Sequence, residues 1–245
     1  MSLKSILVAA ALISTAAGAH ATATLTGTLT ADNAFNAYLS TSPGTLGTEI
    51  ASGTNWQSVQ TLAAQTLTPG TTYYLQIVAW NYDNSATPGT IAGANLPGNP
   101  DAFIGSFSLI GTGFEFANGG TSLNTDTADW QSAVVASPSY DTSNWSAPGG
   151  TPVSFATNGD TSSIWYGADG GPLAGISSTA EYIWGSAPAT DTGESFFSTE
   201  IRASALPEPA AWALMMVGVG AMGAMLRRRP AAAPALQRAS RRRRV

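Results

Sequence analysis

The chain contains no cysteine, one lysine and one histidine, and charged residues of all kinds make up only 10% of its 245 positions. Without cysteine there is no disulfide framework, no thiolate nucleophile and no sulfur ligand for zinc. Lys4 and His20 both lie before Thr22, and eight of the nine arginines stand after Leu226. The region between, Thr22 to Leu206, has Arg202 as its one cation. It holds every carboxylate of the chain except Glu208, fourteen in all, so its formal charge is −13. It has no Lys, His, Cys or Met. Ser-His-Asp and Cys-His catalysis, Schiff-base chemistry, Walker-type phosphate cradles and imidazole metal sites each require a residue type missing from it. A phosphate backbone would meet a like-charged surface, which excludes nucleic acid as a partner of this region.

The ends carry what the middle lacks. Residues 1–21 run from Lys4 through an apolar stretch, Ile6 to Ala17, to the small-residue triplet Ala19-His20-Ala21. That order reads as a secretory signal peptide cleaved before Thr22. About a dozen apolar residues are too few to span roughly 30 Å of hydrocarbon as a lasting anchor. Export gives the absence of cysteine a meaning: the domain must be stable without disulfides in a compartment that permits them.

At the other end, Pro207-Glu208-Pro209 precedes a charge-free run of seventeen residues, Ala210 to Leu226, and then Arg227-Arg228-Arg229. As a helix this run reaches about 26 Å at ~1.5 Å per residue, the short end for a transmembrane segment. Arginines directly after it hold that flank in the cytoplasm and place the preceding segment on the far side. A permanent tail anchor and a packed core helix are the alternatives, although Gly218, Gly220 and Gly223 would weaken a soluble helix. The basic tail at 230–245, with Arg238 and Arg241 to Arg244, reads as reinforcement of topology and as contact with an anionic leaflet.

The succession of Leu206-Pro207-Glu208-Pro209, apolar helix and arginine cluster, in a chain that opens with a signal peptide, resembles the PEP-CTERM sorting signal of Gram-negative bacteria over 206–229. The resemblance implies that an exosortase, a membrane transpeptidase similar to cysteine proteases, recognises Pro207, Glu208 and Pro209. It further implies an inner-membrane intermediate and release to the cell surface or the extracellular polysaccharide matrix. The tail from Pro230 to Val245 departs from the family pattern, which stops soon after the arginines.

Between the signals, 22–205 carries 22 Gly and 10 Pro, spaced so that no long helix fits. Pro-Gly, Asn-Gly and Asp-Gly pairs recur as turns, among them Pro69-Gly70, Asn118-Gly119 and Asn158-Gly159. The runs between them alternate. Leu25, Gly27 and Leu29 interleave with threonines, and Tyr73, Leu75, Ile77 and Ala79 oppose Tyr74, Gln76, Val78 and Trp80. Many short strands predict an all-β fold, an antiparallel β-sandwich of jelly-roll type, with 21 aromatics to fill it. Thr54 to Gln60 and Asp129 to Val134 echo one another as weak helix starts that run into strands. Asp32-Asn33-Ala34-Phe35, Phe114-Glu115-Phe116 and Phe196-Phe197-Ser198-Thr199, with similar short pieces, resemble a galactose-binding-like β-sandwich ectodomain. That resemblance implies a sandwich and hints at carbohydrate binding.

Carboxylates, amides, hydroxyls and aromatics remain as chemistry. Paired carboxylates hydrolyse glycosides, and Glu115 and Glu181 are the candidates with apolar neighbours; the competing reading has both facing solvent from strands. No enzyme activity is expected. Oxygen-rich loops suit a structural calcium ion, with Asp126 and Asp129, Asp83 and Asn84, Asn158 and Asp160, or Asp169 as donors, although no spacing matches a calcium-binding repeat. No other cofactor is expected. Sugar binding would rest on Trp80, Tyr82, Asp83 and Asn84, where a ring and hydroxyl-gripping side chains follow one another; Trp145 and Trp165-Tyr166 are secondary platforms. A tryptophan in a sandwich is also a natural core residue.

Overall fold

The computed structural model describes residues 22–81, 101–135, 142–162, 171–185, 193–204 and 209–226, the side chains of the last segment at 215–223. The strands belong to one compact unit, His20–Ala205, and the helix to a separate one. The signal peptide, Tyr82, Asp83, Asn84, Trp165, Tyr166, Asp169, Pro207, Glu208 and Arg227 to Arg229 lie outside the described residues.

Among the described residues thirteen strands form two antiparallel sheets, as the alternation and turn spacing predict. The first sheet contains β1 (Ala23–Asp32), β4 (Gln60–Thr61), β5 (Gln65–Leu67), β7 (Ala102–Gly111), β9 (Ser122–Asn124), β11 (Val153–Thr157) and β12 (Glu181–Trp184). Its main path runs β11-β12-β7-β1-β4. The second contains β2 (Ala34–Ser40), β3 (Thr48–Gly53), β6 (Tyr73–Asn81), β8 (Phe114–Phe116), β10 (Gln131–Val135) and β13 (Gly193–Ala203), in the order β10-β13-β6-β2-β3 with β8 on β13. The chain passes from one sheet to the other between β1 and β2, where the backbone N–H of Asn33 donates to the Trp80 carbonyl at 2.6 Å.

Period two decides what enters the space between the sheets. Leu25, Leu29, Phe35, Ala37, Leu75, Ile77 and Ala79 all do, with Phe103, Phe107, Trp130, Trp184 and Phe197. Ring centroids of Phe103 and Phe197 lie 5.1 Å apart, and those of Phe103 and Trp130 5.3 Å apart at 76°, an edge-to-face arrangement. Such pairs add about 0.5–1.5 kcal/mol each beyond the area they bury. Room for Phe107 comes from Gly27 and Gly105: a Cβ at either position would stand 2.5 or 2.7 Å from its ring. The glycine between Leu25 and Leu29 is thus the absence of a side chain at an inward position.

Both outer faces are covered in part. On the first sheet Ala102, Ile104 and Tyr182 pack under Leu173, Ile176 and Trp56. On the second, Ala34, Tyr38, Val78, Trp80 and Phe196 pack under Leu46 and Trp145. The two echoed segments both run into strands, β4 and β10, without a helix, but Trp56 covers an outer face whereas Trp130 fills the inner core.

The helix α1 (Pro209–Leu226) begins at the last proline of the Pro-Glu-Pro triplet, a residue suited to a first helical turn because its missing N–H has no intrahelical partner there. Met215, Met216, Val217, Val219 and Met222 are 52–72% exposed. At about 100° per residue these positions spread over roughly 220° of the circumference, wider than a single core-facing stripe. Among the described residues no helix is long and apolar enough to cross a membrane, whereas the sequence pointed to a span over 210–226.

Candidate functional site

The outer row of β13 changes character along its length. Glu194 and Phe196 are buried beneath the covering loops, Ser198 is at the margin, Glu200 is half-buried and Arg202 is exposed. The chain supplying the cover is the β2–β3 connection, which includes Pro43, and the segment after a 3-10 turn at Thr142–Asn144, which includes Ala147 and Pro148. A cleft of about 330 Å³ opens there, lined by Pro43, Ala147 and Pro148 on the loop side and by Tyr74, Gln131, Ser198, Glu200 and Arg202 on the sheet side. Asp129 stands at its rim.

Strand register assembles the sheet side. Glu200 lies opposite Tyr74 of β6, Ser198 opposite Gln131 of β10, and Arg202 opposite Glu115 of β8. Positions 198, 200 and 202 share one face by alternation. The Arg202 Nε donates to Glu200 Oε2 at 2.8 Å, with the two side chains 51% and 32% exposed. This hydrogen bond, then the charges of Glu200 and Glu115, raise the guanidinium pKa further. Gln76, next along the sheet, spends its amide N–H groups on the carbonyls of Ser42 and Pro43 at 3.0 and 3.2 Å and so ties the loop to the sheet.

Asp126 and Asp129 form a small acidic turn beside the cleft. Asp126 Oδ1 accepts the backbone N–H groups of Ala128 and Asp129, at 2.9 and 2.6 Å. The Asp129 carboxyl has its pKa raised by partial burial first, then by the Asp126 charge and by a hydrogen bond with Asp126. The Thr199 hydroxyl donates to the Asp129 carbonyl at 2.9 Å, which fixes the turn to β13.

The residues expected from sequence fare differently. Trp80 is 6% exposed and lies among Ala34, Tyr38, Val78 and Phe196, so it is a packing residue of the second sheet's outer face and offers no open ring. Trp145 is half-buried and serves as the lid of that cluster. Glu115 and Glu181, the candidates for a carboxylate pair weighed against solvent-facing strand positions, stand on different sheets, in β8 and β12. Asn158, one of the loop residues offered as a calcium donor, commits its amide inside the protein: Nδ2 donates to the carbonyls of Leu173 and Ile176, and Oδ1 accepts the Leu173 N–H. Asp160 Oδ1 accepts both the hydroxyl and the backbone N–H of Ser162, which lower its pKa in that order. Among the described residues no three acidic or imidazole groups are arranged to hold a metal ion.

Among the described residues three carboxylates are buried, Asp32, Asp101 and Glu194, and sequence alone did not mark them as buried. Asp101 accepts from Asn81 Nδ2 at 3.2 Å, Asp32 lies opposite Ala102 of the first sheet, and Glu194 lies opposite Trp80 of the second. The cleft residues Tyr74, Gln131 and Glu200 were also missed; the one signal for them was Arg202, a lone cation two positions from an acid in an alternating segment.

Comparison with family models, with curated proteins and with solved structures yields no match for this chain.

Proposed function

We propose that this is an exported, non-enzymatic protein of the cell surface or extracellular matrix, sorted by an exosortase at Pro207-Glu208-Pro209 and associated with exopolysaccharide or biofilm. The observation that carries the reading is the succession at the C-terminal end. The last strand stops at Ala203, the helix starts at Pro209, and the triplet closes the short connection between them. A cut in that connection releases the sandwich with every strand intact. The helix side is in keeping with the same reading: Met215, Met216, Val217, Val219 and Met222 are exposed and spread over more than half of the circumference, an apolar surface wider than one core-facing stripe. The seventeen-residue run Ala210 to Leu226 with Arg227, Arg228 and Arg229 after it would supply the inner-membrane intermediate, with the jelly-roll-like ectodomain on the far side.

Intact-mass measurement on the protein recovered from the outside of the cell tests this. The expected mass begins at Thr22 and ends within the 204–209 connection, without the eight C-terminal arginines; an extracellular protein that keeps them contradicts the reading. A lectin-like role is the second reading, and the cleft over β13 is the observation that favours it. A carboxylate-dependent glycosidase needs two carboxyl groups facing one cleft, and the separation of Glu115 from Glu181 speaks against that pair.

A further inference from the structure

We infer that the cleft over the C-terminal half of β13 is a binding site for neutral saccharides, with the Tyr74 ring as platform and Glu200, Arg202 and Gln131 as the polar grip. The inference rests on the surface-protein reading only for where the sugar would be met; the binding chemistry stands on the cleft itself.

The cleft, at about 330 Å³, falls at the small end of the range for ligand sites, which begins at roughly 300 Å³. Its polar groups are of both kinds. Arg202 only donates, Glu200 only accepts, and the Gln131 amide does both. A sugar hydroxyl is donor and acceptor at once, so adjacent hydroxyls can use such a mixed set without leaving a member unmatched. Beside that set stands an aromatic ring. Glu200 and Tyr74 are cross-strand neighbours on one face. The Cβ atoms of such a pair are about 5 Å apart. Ring and carboxylate therefore lie within the breadth of a single pyranose, whose C–H face is apolar and whose rim is polar.

Stability does not account for the polar set. An ion pair as open to solvent as Arg202–Glu200 adds little to folding. The one cation of the exported region nevertheless stands here, in a cleft, with its acid fixed two residues away. Charge selects among ligands. A formal −13 on the exported region repels polyanions at long range, and within the cleft the charges of Arg202 and Glu200 are already balanced against each other. A neutral polyhydroxylated molecule is not repelled by that field and can hydrogen-bond to both members of the pair without displacing their charges.

The test is an array of immobilised neutral oligosaccharides (glucan, mannan and galactan trisaccharides) and anionic ones (a uronic acid trimer). It is probed with the full chain in a zwitterionic detergent that has no sugar headgroup. Binding to at least one neutral glycan is expected. Tyr74→Ala should weaken it at least about tenfold, the usual cost of losing an aromatic anchor, and Tyr74→Phe should retain it. Arg202→Gln with Glu200→Gln should weaken it as well. All are surface-facing changes, and circular dichroism checks that the sheets persist. The proposal is overturned by no binding to any neutral glycan, by binding to the anionic glycan alone, or by a Tyr74→Ala chain that binds as before. Export and C-terminal processing of the same variants are scored separately: a chain that binds sugar but is never released defeats the sorting reading alone, and one that is released without binding defeats this inference, and the lectin-like reading with it, and leaves the sorting reading standing.

Discussion

Trp145 lies against Phe196 with ring centroids 5.0 Å apart and planes inclined at 41°, and its indole N–H donates to the Pro43 carbonyl at 3.1 Å. One side chain thus closes the outer face of the second sheet and holds the two covering loops together where the cleft begins. Trp145→Ala removes the stack and the hydrogen bond. Because the ring is only half-buried, the expected loss is about 2–3 kcal/mol, below the ~3–5 kcal/mol typical of a fully buried tryptophan. Trp145→Phe keeps the stack and should lose about 1 kcal/mol, the net worth of one hydrogen bond. Urea unfolding of the two variants measures both values; equal losses would mean that the ring contributes nothing beyond its N–H.

Asn158 fastens the 171–180 segment to β11 and β12 through its amide and through its own N–H to the Ala180 carbonyl at 2.8 Å. Asn158→Ala takes the side-chain partner from three backbone groups of Leu173 and Ile176 in a buried place, at about 1–3 kcal/mol for a group left unmatched. A total of about 3 kcal/mol is expected, allowing for water reaching some of them. Asn158→Asp should be worse at neutral pH, since a carboxylate would face two carbonyls in place of a donor. Thermal unfolding gives the order; an aspartate variant more stable than the alanine one would contradict this account of the segment.

Asp129 gives a pH dependence whose sign follows from its raised folded-state pKa. In the window between the ordinary carboxyl value, about 3.9, and the raised one, the folded chain holds more protons than the unfolded chain. Stability from this group therefore falls as pH rises through that window. Asp129→Asn cannot ionise, and it keeps a donor toward Asp126. The variant should have a higher Tm than the parent at pH 7, and the difference should close at a pH of about 3, below the ordinary carboxyl value. A difference that grows as the pH is lowered would give the wrong sign.

The inner core could be read from alternation because a period of two separates two faces, and burial between sheets then selects one of them. Leu25, Leu29 and the Leu75 to Ala79 row illustrate it. Alternation says which side a residue faces but not whether that side is covered. Trp80 points outward as its spacing requires, yet it is buried with Phe196 under Leu46 and Trp145, which arrive from distant parts of the chain. Asn158 read as a turn residue beside Gly159, and the turn does form; its burial depends on Leu173 and Ile176, which local sequence does not announce. The cleft draws on Tyr74, Gln131 and Glu200, which sit on three strands far apart in sequence and become adjacent only through register. Arg202 alone was conspicuous, by being the single cation among so many acids.

In the reading proposed, Pro207-Glu208-Pro209 directs release of the sandwich from the membrane. Cell fractionation of the chain carrying Pro207→Ala and Glu208→Ala tests it most directly, with the unaltered chain alongside. The double variant is expected to be exported but to stay in the inner-membrane fraction at its full C-terminal length, while the parent is found shortened at the surface or in the matrix. A double variant that reaches the surface and is shortened as the parent is would contradict it.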